Sequence, residues 1–493
     1  MRIAAILTAV AGVMLACATP AMAEPNRAEP SIAEPNKADL NELLDKYASD
    51  DGFNGTVLIA RNGKIIIRKS YGLANVELGV PNNPSLTYRV GSVTKPFTAT
   101  LTFALIEKGQ LRLDGTLGEY LPDLYAGTVV ADVTLAQLLS HISGITDVPQ
   151  RFEDPFYQTT ARMTFEPKQY AKEWIKPELV EQPGTRWRYN NNAFLLVGAI
   201  ISEVTGKSYA ANMQEHVFGP AGMTSSGVAN KDDVVPGLAN GYARDEDENP
   251  VKPLYMDPGV FYAAAGIYST AEDMLRFDQA LYGNKIMSEA QRKLMHSPQV
   301  PFYAYGWGVG SYDLPDGSKL PVVEHTGSVP GYQSNYVHSE RNRDFVFVVS
   351  NYWQGSLVQG MGRDLMEVLN GKPPKKIADL LLPALESDGL SAMIAAYEGL
   401  GETAADYDLG ESAMNKFGYT LVGDKNLAAA ITVFEWNVAA YPASANAHDS
   451  LGEAYRATGR NAEALASYRR ALELDPESES AKTNIAELEA GSK

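Results

Sequence analysis

Cysteine is all but absent from this chain: Cys17 is the only one in 493 residues, so no intramolecular disulfide can staple the fold. Histidine is scarce too. His141, His216, His296, His325, His338 and His448 show neither the two-His helical spacing nor a cysteine partner, so no metal site is expected. No phosphate-cradling glycine loop occurs, and no cofactor is expected. Positive charge is in deficit, 42 Lys and Arg against 60 Asp and Glu, for a net charge of −18. Nucleic acid and an anionic membrane surface would both be repelled by that balance, although ordinary solubility also accounts for it.

Long apolar runs are missing as well. The N-terminal stretch at residues 3–15 is too short to span a bilayer comfortably, and no other run reaches that length. It reads instead as a secretory signal over residues 1–23: Arg2 is the positive end, and Ala21-Met22-Ala23 is a small-residue cleavage site before Glu24. Lipid anchoring through Cys17 is the lesser alternative, because Met14-Leu15-Ala16 before it poorly fits a lipidation motif. Cleavage after Ala23 leaves no cysteine, and the mature chain is expected in the periplasm or outside the cell. Residues 24–37 repeat Glu-Pro units (Glu24-Pro25, Glu29-Pro30, Glu34-Pro35) and read as a flexible linker.

What is present is 45% hydrophobic content in a length that suits two or three domains. A helix is expected to start at Asp39, with Glu42 as its capping-box partner and Leu40, Leu43, Leu44 and Tyr47 on one face. Residues 55–60 and 64–71, separated by Asn62-Gly63, predict a hairpin. Residues 322–326, 332–338 and 345–350 read as three more strands, and residues 97–290 as mostly helix and loop.

Three short motifs then follow in order: Ser92-Val93-Thr94-Lys95, Tyr189-Asn190-Asn191 and His325-Thr326-Gly327. A serine hydroxyl is a poor nucleophile at neutral pH and needs a group nearby to take its proton. Ser-x-x-Lys puts an amine one helical turn from the hydroxyl, on the same face. Alone that spacing occurs about once or twice by chance in a chain of this length; the ordered trio is far more specific.

The trio resembles the active site of the serine β-lactamase and penicillin-recognising DD-peptidase superfamily, on its class C-related side. Leu138-Leu139-Ser140-His141-Ile142-Ser143-Gly144-Ile145, Pro183-Gly184-Thr185, Leu195-Leu196-Val197-Gly198 and Ala265-Gly266-Ile267-Tyr268-Ser269-Thr270-Ala271-Glu272-Asp273 extend the likeness over residues 38–372. The resemblance implies an α/β fold: an antiparallel sheet flanked by helices, with an inserted mainly helical domain and the active site in the cleft between them. It implies Ser92 as nucleophile, Lys95 and Tyr189 as the proton-transfer pair with the base left open between them, and Asn191 as the group that orients Lys95. It further implies an oxyanion hole from the backbone N–H groups of Ser92 and Ser328, and substrate lying along Thr326 and Gly327. Lys95 requires a lowered pKa for its role, which burial can supply. His325 departs from the Lys-Thr-Gly of class C β-lactamases; a mostly neutral imidazole recognises a carboxylate more weakly than a permanent cation. No Glu-x-x-x-Asn occurs between Ser92 and His325 to serve as a class A deacylation pair. Tyr303, Tyr305 and Trp307 are read as buried packing, with a pocket-lining role as the alternative.

Lys372-Pro373-Pro374-Lys375-Lys376 marks a boundary, followed by a helical connector over 373–410 and tetratricopeptide-like repeats over 411–493. Leu451, Gly452, Tyr455, Gly459, Ala464, Tyr468, Ala471 and Pro476 fall at repeat positions, and Phe417, Gly418, Leu421, Ala430, Phe434 and Pro442 repeat six of them 34 residues earlier. Residues 481–488 form a closing helix in this reading. Two repeats are few for an independent solenoid, so the tail is expected to lean on the rest; a groove for a peptide or protein partner and a stabilising appendage are equal readings.

The sequence therefore points to an exported serine hydrolase that forms an acyl-enzyme on Ser92 and cleaves an amide or ester, with a D-amino-acid-containing peptide as the substrate implied. A promiscuous esterase or weak β-lactamase is the alternative within the same chemistry. A penicillin-binding sensor or adaptor that acylates without turnover is the alternative of another class.

Overall fold

Asn62 and Gly63 both take positive φ, 47° and 75°, which turns strand β1 (Gly55–Arg61) tightly into β2 (Lys64–Tyr71). This hairpin is one end of a six-stranded antiparallel sheet. The other strands are β3 (Gly308–Asp313), β4 (Lys319–Val329), β5 (Tyr332–Ser339) and β6 (Asp344–Ser350), in the order β3-β4-β5-β6-β1-β2. β1 pairs with β6, Gly55 opposite Ser350 and Arg61 opposite Asp344, so residues almost 300 positions apart become neighbours. In this computed structural model the described residues are 35–149, 153–314, 317–354, 356–371 and 375–491. The expected signal segment, Cys17, the Glu-Pro units before residue 35 and Lys372-Pro373-Pro374 lie outside them.

The central strands are apolar on both sides because both faces of the sheet are covered. On one face, Val57, Ile59, Val346 and Val348 meet α1 (Lys37–Ser49) and, at the far end of the sheet domain, the helix at Leu357–Leu369, through Leu40, Leu44, Met361 and Leu365. On the other, Leu58, Ala60, Phe345 and Phe347 face the larger core built around α2 (Thr94–Glu107), α3 (Asn191–Thr205) and α4 (Ala271–Tyr282). The helix at Leu357–Leu369 is α5. The strand alternation of apolar residues thus serves two cores.

α1 begins two residues before the expected start. Asn36 is its cap, accepting from the Ala38 N–H at 3.0 Å and donating to the Asp39 carboxylate at 2.7 Å, so Asp39 lies in the first turn and Glu42 is not its capping partner. Asn36 reaches the free N–H groups first, and Asp39 there is favoured by the helix dipole.

Beyond the sheet domain run α6 (Ile377–Asp388), α7 (Leu390–Glu398), α8 (Glu411–Gly423), α9 (Leu427–Ala440), α10 (Ala445–Ala457), α11 (Asn461–Leu474) and α12 (Glu479–Gly491). The repeat has a steric basis. Gly418 on α8 faces the Phe434 ring of α9, and Gly452 on α10 faces the Tyr468 ring of α11; both members of the second pair lie 34 residues after the first. The tail leans on its connector rather than on the sheet: Ile377, Leu381 and Met393 of α6 and α7 share an apolar core with Phe417, Phe434 and Leu451. Contact with the sheet domain includes exposed ion pairs, Lys46 to Asp379 at 3.4 Å and Lys376 to Asp364 at 3.2 Å, which contribute little stability. α12 closes the stack with buried Ala481 and Leu488.

Gly452→Val is expected to weaken this tail by about 1–3 kcal/mol, because a Cβ there would lie 2.8 Å from the Tyr468 ring. Calorimetry should show a lower transition for the tail with the sheet domain's transition unmoved. A single transition shifted as a whole would mean that the two parts unfold as one unit.

Candidate active site

Ser92 lies in a 3₁₀ turn, Gly91–Val93, that runs directly into α2. Ser92 therefore sits at the positive end of the α2 dipole, which favours negative charge there. Pro96 is tolerated because it is only the third residue of α2, where its missing N–H would have had no intrahelical partner. Gly91, at φ 54°, presses on the backbone of Ser328, and a Cβ on Gly327 would overlap the Val90 carbonyl oxygen. These two close approaches seat the Ser92 turn against the end of β4.

Lys95 is fully buried. Its Nζ lies 2.8 Å from Asn191 Oδ1, 3.1 Å from the Ala264 carbonyl and 3.3 Å from Ser92 Oγ. It also sits over the rings of Tyr189 and Phe194, at 4.6 and 5.5 Å from their centroids. Burial lowers its pKa to about 7, and the nearby charge of Asp147 opposes that fall. The Ala264 carbonyl is held in place because Thr98 Oγ1 donates to Ala263 O at 2.6 Å and the Ile267 N–H donates to Thr94 Oγ1 at 3.1 Å. The recurring Ala265–Asp273 stretch thus begins beside the lysine.

Tyr189 is partly exposed and its ring lies under the Lys95 ammonium; burial raises its pKa, with the neighbouring Ser92 hydroxyl opposing, so it stays a neutral phenol. Asn191 is the first residue of α3. Two segments position both residues by pairing with each other. Gly184 N–H donates to Ile142 O, Arg188 N–H to His141 O, Asn190 Nδ2 to Ile145 O and Asn192 Nδ2 to Thr146 O, over 2.7–3.1 Å. Gly144 is at φ 69°, where a Cβ would also overlap the Glu181 carbonyl. Asp147 accepts from the N–H groups of Asn191 and Asn192, at 2.7 and 3.2 Å, at the N-terminus of α3. Its pKa is nevertheless raised, because burial outweighs those bonds and the pull of Lys95.

The third motif lies on β4 across the cleft. His325 is 6% exposed, and both of its ring nitrogens are engaged. Nδ1 donates to the Thr326 carbonyl at 2.6 Å, because that oxygen can only accept. Nε2 then accepts from the Tyr303 hydroxyl at 3.1 Å. The Tyr303 oxygen in turn accepts from His141 Nε2 at 3.2 Å, and His141 Nδ1 accepts from the Asn190 N–H at 3.1 Å. Backbone groups of fixed polarity at both ends set every direction in this chain. Burial lowers the pKa of His325 to about 3, with Lys95 adding to the fall, and holds His141 well below the usual imidazole range. Ser328 Oγ accepts from Trp353 Nε1 at 2.9 Å, which places that indole at the cleft.

Ser92 and Asn191 therefore meet at Lys95 Nζ through side-chain hydrogen bonds, and Tyr189 joins them through its ring, over which that nitrogen sits. Thr326, Gly327 and Ser328 line the adjoining strand, and His325 faces Tyr189 with ring centroids 6.3 Å apart. Sequence reasoning had no role for His141, although the Leu138–Ile145 stretch signalled its neighbourhood. It missed Asp147 and Trp353, for which no motif gave a sign. Tyr303 lines the site, whereas Tyr305 packs on Phe103 and Trp307 is fully buried. Among the described residues, no group of three or more His, Cys, Asp or Glu is arranged to hold a metal ion, and no helix is long and apolar enough to cross a membrane.

A family model described as Beta-lactamase matches residues 40–369, and one described as Tetratricopeptide repeat matches residues 445–478. PbpX of Bacillus subtilis is 30% identical over 332 residues, which cover 67% of this chain and 79% of that protein. The teichoic acid D-alanine hydrolase of Staphylococcus aureus is 26% identical over 262 residues, 52% of this chain and 59% of its own length. The solved structure of a penicillin binding protein from Bacillus halodurans superposes with a TM-score of 0.58 at 26% identity, covering 66% of this chain and 98% of that one.

Proposed function

Because this chain belongs to the β-lactamase family and is a serine hydrolase, we propose that it cleaves an amide or ester through an acyl-enzyme on Ser92. The observation that carries this reading is the setting of Lys95. Asn191 Oδ1 and the Ala264 carbonyl can only accept, so they hold two of its N–H groups. In the neutral amine the remaining position, toward Ser92 Oγ, is a lone pair. Lys95 is accordingly the base. As Ser92 Oγ bonds to the acyl carbon, its proton passes to Nζ, and the backbone N–H groups of Ser92 and Ser328 receive the developing oxyanion. Collapse breaks the bond to the leaving group, which takes a proton from Tyr189; Tyr189 is reprotonated from Lys95. Water then attacks the acyl-enzyme by the same route and releases the acid.

The substrate class in this proposal is a D-amino-acid peptide or ester, in keeping with a relative named for D-alanine hydrolysis. Export rests on the reading of residues 1–23, and residues 38–372 form the hydrolase domain. The repeats are an accessory to it, and a protein partner there is testable by deleting residues 411–493.

Incubation of residues 24–493 with a penicillin and with an activated ester, followed by intact mass and product release, tests the proposal. Turnover with a transient acyl mass on the Ser92 peptide supports a hydrolase. A permanent adduct without turnover would favour the sensor reading, and no adduct with either compound would refute acylation at Ser92. The pH dependence is a further check. Protonated Lys95 cannot accept the serine proton, so kcat/KM is expected to rise about tenfold per pH unit below 7 and to level off above it. A profile flat from pH 5 to 9 would exclude Lys95 as the base.

A further inference from the structure

We infer that the cleft is built for a neutral leaving group: the wall formed by Tyr189, His325 and Tyr303 disfavours substrates whose leaving group carries a free carboxylate beside the scissile bond. The inference rests on the acyl-enzyme reading and goes beyond it, because that reading leaves the charge of the substrate open. Tyr189 is the residue that hands a proton to the leaving group, so what lies next to Tyr189 meets that group first. Its ring neighbours are His141 at 4.4 Å, His325 at 6.3 Å and Trp187 at 6.4 Å between centroids, with Tyr303 behind them at 5.7 Å from Trp187.

No member of that wall offers a charge. His325 uses Nδ1 on the Thr326 carbonyl and Nε2 on Tyr303, and Tyr303 and His141 are closed into the same chain. Lys95 is buried with Ser92, Asn191 and Ala264 around its Nζ, so neither as the neutral amine nor as the ammonium does it have an N–H left to give a substrate anion. The charged groups that act on these rings are Lys95 and Asp147, of opposite sign. Arg186 and Arg188, nearest to Tyr189 along the chain, reach instead to Glu181, at 3.5 and 3.8 Å. A carboxylate entering here loses water and gains only neutral donors, which is costly in a desolvated site. A carboxamide, an alcohol or an amine carries no such burden. Tyr303 is thus a specificity-determining residue: its hydroxyl occupies the one nitrogen through which His325 would otherwise meet an anion.

The test is a matched pair that differs in one charge, N-acyl-D-alanyl-D-alanine and its C-terminal carboxamide, cleaved at the same bond. A thioester pair, N-benzoyl-D-alanyl thioglycolate and thioglycolamide, reads the same difference from acylation of Ser92 by mass. The neutral member of each pair is expected to react at least about tenfold faster in kcat/KM, a difference of about 1.4 kcal/mol. His325→Lys should shift the ratio toward the acid by a similar factor; should that variant not fold, the ratio in the unaltered protein decides alone. Equal rates, or faster reaction of the acids, would overturn the inference while leaving the serine hydrolase intact. No acylation of Ser92 by either thioester would overturn the acyl-enzyme reading, and this inference with it.

Discussion

Ser92→Ala is expected to lower hydrolysis of an activated ester by about 10⁶-fold and Lys95→Met by about 10⁴-fold, with the double variant no slower than Ser92→Ala. In the proposed mechanism the two groups act on one proton, so removing the second after the first has little left to remove. Nζ lies 3.3 Å from Ser92 Oγ, within reach of that transfer once the amine is neutral. Stability should behave differently from activity. Lys95→Met leaves Asn191 Oδ1 and the Ala264 carbonyl without a donor, at about 1–3 kcal/mol each, but it also removes an amine whose charging burial opposes. These terms oppose each other, and Tm should move by no more than about 3 °C. A double variant more than about tenfold slower than Ser92→Ala would mean that the residues act independently. A Lys95→Met enzyme within tenfold of the original would remove the lysine from the chemistry.

The second large effect is expected at Gly327. Its Cβ would overlap the Val90 carbonyl oxygen and come within 2.6 Å of Ser334 Oγ, which itself donates to that carbonyl at 2.7 Å. Backbone cannot give way as a flexible side chain can. Gly327→Ala must therefore part β4 from the turn that carries Ser92, and with it the Ser328 N–H from the oxyanion position proposed above. A shift of about 1 Å between reacting groups costs about 10²-fold in rate, and crowding a packed contact costs about 1–3 kcal/mol. The fall should appear in kcat/KM for every substrate alike, neutral or charged, which separates it from the selective change expected at His325. Activity within threefold of the original would show that the two segments tolerate separation, and that Ser328 does not form the oxyanion hole.

Local features were legible in the sequence because local physics sets them. The Asn62-Gly63 turn needs two residues at positive φ, and both take it. Ser-x-x-Lys brings hydroxyl and amine to one face across a single turn whatever surrounds them. Gly418 with Phe434 and Gly452 with Tyr468 repeat because each helix pair solves the same packing problem. Asn36 was overlooked as a cap because it adjoins the Glu-Pro stretch, whose composition suggested linker. The three motifs could be placed in order along the chain, but their meeting in space came from resemblance.

By itself, then, the sequence determined five of the six strands of the sheet and the helical tail, missing Gly308–Asp313, and it singled out three short motifs as candidates for the chemistry. Only the tertiary structure decided that β6 zips onto β1, that Lys95 is fully buried, and that His141, Tyr303 and His325 form one directed chain of hydrogen bonds. The reason is physical. Turn geometry and strand alternation depend on residues a few positions apart, whereas desolvation and the direction of a hydrogen bond depend on groups that the chain brings together from far away, 162 residues between His141 and Tyr303 and almost 300 between β1 and β6. His325 in sequence is an ordinary imidazole; burial keeps it neutral, and the Thr326 carbonyl on Nδ1 leaves Nε2 as the acceptor that Tyr303 meets.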